Sequence, residues 1–232
     1  MSPVPDRKRW TDSRIEQQPA FISNPDPMPH TTFRRSFLLL TSIAVGAMST
    51  MTLATSPAHA SPANEFNVKK SKVLVVGDSL TVGSAPYLRR KLSPKVQSLT
   101  IDAQAGRFTG AGISKLRSKK ARSADIWVIA LGTNDAPSSA QTRRNINKVM
   151  RLSGQKSVIW VNVVRPGGYG AVNRVLRKAD KARGRLTVLD WASVIRSKSR
   201  LLAGDKVHLS SYGYKIRAKW TTRAVVALGS SR

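Results

Sequence analysis

The chain has 232 residues, with 40 Lys+Arg against 12 Asp+Glu, three His, no Cys and a formal net charge of +28 at pH 7. A hydrophobic fraction of 41% beside 22% charged residues suffices for a packed core, which argues against wholesale disorder and against a polytopic membrane protein. The absence of Cys excludes a disulfide scaffold, Cys-ligated zinc and iron–sulfur sites, a cysteine nucleophile and a lipidated cysteine anchor. The charge speaks of an anionic partner or environment and not of the fold.

Residues 1–33 are polar and Pro-rich, with no helical or strand period. Arg34 and Arg35 then precede an apolar run from Phe37 to about Ala54, and Ala58-His59-Ala60 closes it as an A-x-A cleavage site. This is the three-part layout of an export signal. Arg34-Arg35-Ser36-Phe37-Leu38 resembles a twin-arginine signal, although Leu39 stands where Lys is frequent, so the Sec route remains open. The run approaches the ~20 residues of a membrane span. Its Thr, Ser and Gly content and the A-x-A site favour cleavage after Ala60 over an anchor, and Met28 is an alternative start. The expected organisation is a leader over 1–60, a flexible stem over 61–71 and one domain over 72–232. The leader holds six Lys/Arg and four Asp/Glu, so Ser61–Arg232 keeps 34 basic and eight acidic residues, net +26.

Five strand-like runs follow in chain order: Val73–Gly77, Leu99–Asp102, Ile126–Leu131, Val158–Val163 and Leu186–Leu189. The first is continuous and β-branched, as in strands buried on both faces. Helix candidates run over Ala85–Leu92, Gly110–Lys119, Ser138–Leu152, Ala171–Lys181 and Ser211–Leu228. Strands alternating with helices of this length predict βαβ units, and hence a single α/β domain on a parallel sheet.

In open parallel sheets, sites form outside the carboxyl ends of the strands. The first strand runs into Gly77-Asp78-Ser79-Leu80, and Ala105-Gly106-Arg107 comes soon after the second. The third runs into Gly132-Thr133-Asn134-Asp135 and the fourth into Arg165-Pro166-Gly167-Gly168; Asp205-Lys206-Val207-His208 precedes the last helix. These pieces suggest a nucleophilic hydrolase. Ser79 in a tight strand-to-helix turn is the nucleophile, His208 its general base, and Asp205, three residues earlier, orients the imidazole. The N–H groups of Ser79 and Gly106 and the Asn134 side chain are candidate oxyanion donors. His208 is the sole histidine after residue 60, which excludes multi-His metal sites and H-E-x-x-H chemistry there; neither a P-loop nor a G-x-S-x-G elbow occurs.

These residues resemble the SGNH/GDSL hydrolases, named for Ser, Gly, Asn and His in four blocks. Gly77-Asp78-Ser79-Leu80, Gly106, Gly132-Thr133-Asn134-Asp135 and Asp205-x-x-His208 match the blocks in order, over about Lys72–Leu228. Val163-Val164-Arg165-Pro166, Asp190-Trp191-Ala192 and Asp205–Ser210 look most like small extracytoplasmic members, among them esterases and the SGNH domains of bacterial O-acetyltransferases. The resemblance implies a three-layer αβα sandwich with a flavodoxin-like five-stranded parallel sheet, no metal or other cofactor, and a covalent acyl-serine intermediate. Lys206 departs from the small residue common after this Asp.

The expected function is an exported serine esterase acting on a short acyl ester of a sugar, lipid or envelope polymer. The alternatives are an O-acyltransferase using the same triad and a non-catalytic cationic envelope-binding protein. Arg107 and Arg165 are candidate contacts to an anionic substrate. Asp78 is expected to hold its own turn, Asp135 to cap a helix, and Asp190 to be structural, although it is the rival third member of the triad. Trp127, Trp160 and Trp220 are expected in the core, Trp191 and Tyr169 facing substrate, and Lys115–Arg122 as a solvated helix end. The expected partner is an anionic envelope polymer or acidic lipid rather than nucleic acid, and the expected state a monomer.

Overall fold

The computed structural model describes residues 67–229. The leader, its cleavage site, Met28 and residues 61–66 of the expected stem lie outside the described residues.

Five strands, β1 (Lys72–Gly77), β2 (Ser98–Ala103), β3 (Ile126–Ala130), β4 (Ser157–Val161) and β5 (Leu186–Leu189), form one all-parallel sheet in the order β2-β1-β3-β4-β5. β3 and β4 are buried at every position, which is why they read as unbroken apolar runs. Among the described residues, seven α-helices cover the sheet: α1 (Ser79–Leu92), α2 (Thr109–Lys115), α3 (Lys119–Ser123), α4 (Ser139–Ser153), α5 (Tyr169–Ala182), α6 (Trp191–Arg196) and α7 (Ser211–Ala227).

Alternation along the strands splits the core in two. Val73, Val75, Val128 and Ile159 pack with Leu88 of α1, Ile195 of α6 and Val225 of α7. Leu74, Val76, Trp127 and Ile129 pack on the other face with Ile113 of α2, Ile146 of α4 and Leu176 of α5. This is the expected three-layer sandwich. α1 leaves β1 on one face and α2 leaves β2 on the other, so the connections change faces beside β1. The crevice at such a switch point is where open α/β sheets bind ligands. Among the described residues, no helix is long and apolar enough to cross a membrane.

Several boundaries differ from expectation for physical reasons. α1 begins at Ser79, not Ala85, because the Asp78 carboxylate caps it by accepting the Leu80 N–H at 3.0 Å; Pro86 lies inside the helix. The segment expected as one helix over 110–119 is two. α2 ends at Lys115, and the Ser118 hydroxyl starts α3 by accepting the Ala121 N–H at 3.2 Å. The cluster 115–122 therefore spans a break rather than one helix end. The order of the domain also reaches back into the expected stem. Val68 is buried against the core in a 3₁₀ turn over Val68–Lys70, which Asn67 caps.

Candidate active site

The turn that carries Ser79 is built by close packing. Gly77 ends β1 where a Cβ would lie 1.9 Å from the Thr81 hydroxyl, so only glycine lets α1 start this tightly against the strand. Asp78, fully buried, accepts the Leu80 N–H through its side chain and those of Thr81 and Val82 through its carbonyl. It does not take the Ser79 N–H, which stays at the positive end of the helix.

His208 comes from the loop before α7. An antiparallel bridge between Leu202 and Leu209 and the bonds Ala203 N–H to His208 O (2.9 Å) and Ser210 N–H to Leu201 O (2.9 Å) hold that loop. Asp205 Oδ1 accepts the N–H groups of Val207 (3.0 Å) and His208 (2.9 Å), while Oδ2 lies 2.6 Å from His208 Nδ1. His208 Nε2 lies 3.1 Å from Ser79 Oγ, across 129 residues of sequence. The hydrogen bond from His208 and the two backbone N–H groups hold the Asp205 carboxyl at about 2, well below its ordinary value. The site is open: the side chains of His208 and Asp205 are 45% and 49% exposed. Lys206, between them, has φ of +57°, the sole non-glycine in the left-handed region among the described residues.

The other two blocks meet beside this row. Gly106 has φ of +69° with open space where a Cβ would be. Asn134 Nδ2 donates to the Arg107 carbonyl at 3.1 Å, tying the third block to the second; one amide hydrogen makes that bond and the other is left for a ligand.

Of the expected substrate contacts, Arg165 is exposed and uses one guanidinium nitrogen on the Thr133 carbonyl at 2.6 Å. Arg107 is different. It is buried, pairs with Asp102 Oδ1 at 2.6 Å and donates to the Asp102 carbonyl at 2.7 Å, so it braces the end of β2 rather than offering charge to a substrate. Tyr169 and Trp191 are corrected as well. Tyr169 is buried with its hydroxyl on the Asp135 carbonyl, and Trp191 lies in the core with the Arg217 guanidinium 5.5 Å from its ring centre. Asp135 does cap a helix, but one distant in sequence: it accepts the Thr109 N–H of α2 at 3.0 Å, while Ser138 caps α4. Asp190 is bound to Asn162 (2.6 Å) and caps α6 through Ser193. Trp127 and Trp160 are buried in the core, and Trp220 is partly buried against it.

Sequence reading missed Arg217. It is buried in α7 behind the nucleophile turn, where burial pushes its guanidinium below the ordinary value. Burial likewise raises the Asp78 carboxyl, partly offset by the Arg217 charge. Nothing in the basic sequence of α7 separates this arginine from its exposed neighbours. Among the described residues, no group of three or more His, Cys, Asp or Glu could hold a metal ion.

No protein-family model matches the chain. The chain is 28% identical over 153 residues to the O-acetyltransferase OatA of Staphylococcus aureus, covering 64% of this chain and 24% of that protein, so it spans about a quarter of that curated relative. A lipase/acylhydrolase from Enterococcus faecalis superposes with a TM-score of 0.59 at 20% identity, over 67% of this chain and 95% of that one. The C-terminal catalytic domain of the Streptococcus pneumoniae peptidoglycan O-acetyltransferase OatA, solved with a methylsulfonyl adduct, gives 0.57 at 20% identity, over 69% and 94%. At such identities the solved structures speak for the fold. With its five-stranded sheet, its two helical layers and the four blocks at its strand ends, the chain has the fold of the SGNH/GDSL hydrolases.

Proposed function

We propose that the chain is a serine ester hydrolase acting through an acyl-serine intermediate. The observation that carries this reading is the continuous row Ser79 Oγ, His208 Nε2, His208 Nδ1 and Asp205 Oδ2, at 3.1 and 2.6 Å. Ser79 Oγ attacks the ester carbonyl as its proton passes to His208. The carbonyl oxygen becomes an oxyanion, received by the N–H groups of Ser79 and Gly106 and the free Asn134 amide hydrogen. The Asp205 carboxylate faces the imidazolium that forms. Collapse of the intermediate expels the alcohol, which takes the proton from His208, and water then repeats the sequence to release the acid. Val82, Phe108 and Tyr212 are exposed within four residues of Ser79, Gly106 and His208, and supply apolar surface at this end for a short acyl chain.

A second reading, acyl transfer to a sugar hydroxyl in place of water, is favoured by the curated relative, itself an O-acetyltransferase. The half-exposed His208 leaves room for either acceptor. We also read the protein as exported, with the leader removed after Ala60 and the domain acting at the cell envelope; N-terminal sequencing of the secreted product tests this.

The experiment uses the purified chain with p-nitrophenyl esters of two to twelve carbons, beside Ser79→Ala and His208→Ala. Release that depends on both residues and is fastest with short chains is the expected result. Release unchanged in Ser79→Ala refutes the mechanism. Adding a sugar acceptor and measuring acylated sugar against free acid separates transfer from hydrolysis.

A further inference from the structure

Because all five strands run the same way, strand starts and helix ends share the end of the domain opposite Ser79. That end collects cations. Lys69, Lys70 and Lys72 stand at the entry to β1, Arg89-Arg90-Lys91 close α1, and Arg151 and Lys181 lie in the last turns of α4 and α5. The carboxylates at this end, Asp125 and Asp180, are too few to neutralise them, although the Lys181 charge acts on Asp180. Asp125 accepts the Lys72 N–H at 2.7 Å, and neither Asp125 nor Asp180 forms an ion pair among the described residues.

The surface relief narrows the choice of partner. Three depressions lie at this end: the second and third share lining residues, and the neighbouring Arg223 and Ala224 of α7 line the first and second. The first, about 420 Å³, lies between the end of α1 and α7 and is lined by Arg90, Lys91, Lys95, Lys219 and Arg223. The second, about 200 Å³, passes Ala224 and Leu228 of α7 to reach Gly184 and Arg185 ahead of β5. The third, about 660 Å³, shares Gly184 and Arg185 and adds Arg151 and Arg183.

We propose that these depressions form one track that holds a linear phosphodiester polymer without bases, of the polyol-phosphate kind. A row of separate cations along a groove suits a chain of spaced phosphates, whose bound counterions are released as it docks. A base-bearing strand would need exposed aromatic platforms. The large exposed aromatics, Phe108 and Tyr212, stand at the opposite end, and Trp220 is partly buried with Arg223 5.4 Å from its ring centre. Insertion into a lipid surface would need apolar side chains, and Val226 is the one large exposed apolar residue on this part of α7. The track is remote from Ser79 and does not depend on the catalytic reading.

The test titrates the full chain against end-labelled poly(glycerol phosphate) by fluorescence anisotropy at 50, 100 and 200 mM NaCl. The track variant combines Arg90→Gln, Lys95→Gln, Arg185→Gln, Lys219→Gln and Arg223→Gln. The control combines Arg144→Gln, Arg174→Gln, Arg196→Gln, Lys198→Gln and Lys215→Gln, five exposed cations outside the track. The track variant should lose at least tenfold in affinity at 100 mM and shallow the log–log salt slope by about three, and the control should lose less than threefold. Equal losses in the two variants would reduce the effect to diffuse charge and overturn the track. Tighter binding of a single-stranded DNA of equal charge, or of vesicles with 30% phosphatidylglycerol, would overturn the occupant. Should the fivefold variant fail to fold by circular dichroism, Lys219→Gln with Arg223→Gln alone must weaken binding at least threefold, and unchanged binding overturns the proposal. Ser79→Ala should bind as the unaltered chain does, so loss of binding and loss of ester turnover are read separately.

Discussion

The end of the sheet that carries Ser79 gathers Asp78, Asp102, Asp135, Asp190 and Asp205, whereas the opposite end gathers lysines and arginines around Asp125 and Asp180. At the Ser79 end each carboxylate has an assignment: Asp78, Asp135 and Asp190 receive helix N–H groups, Asp102 holds Arg107, and Asp205 faces His208. In a parallel α/β fold this end holds the helix N-termini, where negative charge is favoured, and the other end holds the C-termini, where positive charge is. The fold alone therefore polarises the chain, and the surplus of cations sharpens that polarity. The net charge of +28 thus says more about the surface opposite the site than about the reaction.

If the two ends act independently, Ser79→Ala and His208→Ala should each lower ester turnover about 10³-fold or more while leaving the fold and polymer binding unchanged. Circular dichroism beside the p-nitrophenyl acetate rate checks this, and a parallel loss of binding would break the separation. Arg217→Met should link the site to its supporting layer. Removing the cation facing buried Asp78 should destabilise the domain by about 3 kcal/mol in urea unfolding. Asn134→Ala should cost about 10²-fold in kcat with little change in KM, because its free hydrogen serves the oxyanion.

Acid pH sharpens the comparison further. Asp205 is held at about 2, below its ordinary 3.8, so its contribution to stability is in place above 3.8 and is lost as pH falls through 2. The difference in thermal midpoint between the unaltered chain and Asp205→Asn should persist down to about pH 4 and close only below that. A difference that closes between pH 6 and 5 would contradict the geometry. The smallest effect is expected at Lys206→Gly, which relieves a left-handed non-glycine and should raise stability by about 1 kcal/mol in the same unfolding assay.

The sheet was legible because its central strands are buried on both faces, so runs such as Ile126–Ala130 are apolar without interruption. Part of the candidate site was legible for the same reason, since Gly77-Asp78-Ser79 and Asn134 follow strand ends; His208, in the loop before α7, stood out as the sole histidine after residue 60. What escaped depends on contacts across the fold. The start of α1 is set by Asp78, and the split between α2 and α3 by Ser118, and neither signal outweighs the local pattern around it. Arg107 read as a substrate contact and Arg217 drew no reading, because burial of an arginine is decided by partners that folding brings to it, Asp102 for the one and Trp191 for the other. Trp191 and Tyr169 read as facing substrate, and packing drew both inside.

The most direct measurement of the central claim is covalent. The full chain is incubated with phenylmethanesulfonyl fluoride, and the modified peptide is located by mass spectrometry. One adduct is expected, on Ser79, formed in the unaltered chain and suppressed in His208→Ala. An adduct on another serine, or labelling of Ser79 that is indifferent to His208, would contradict it.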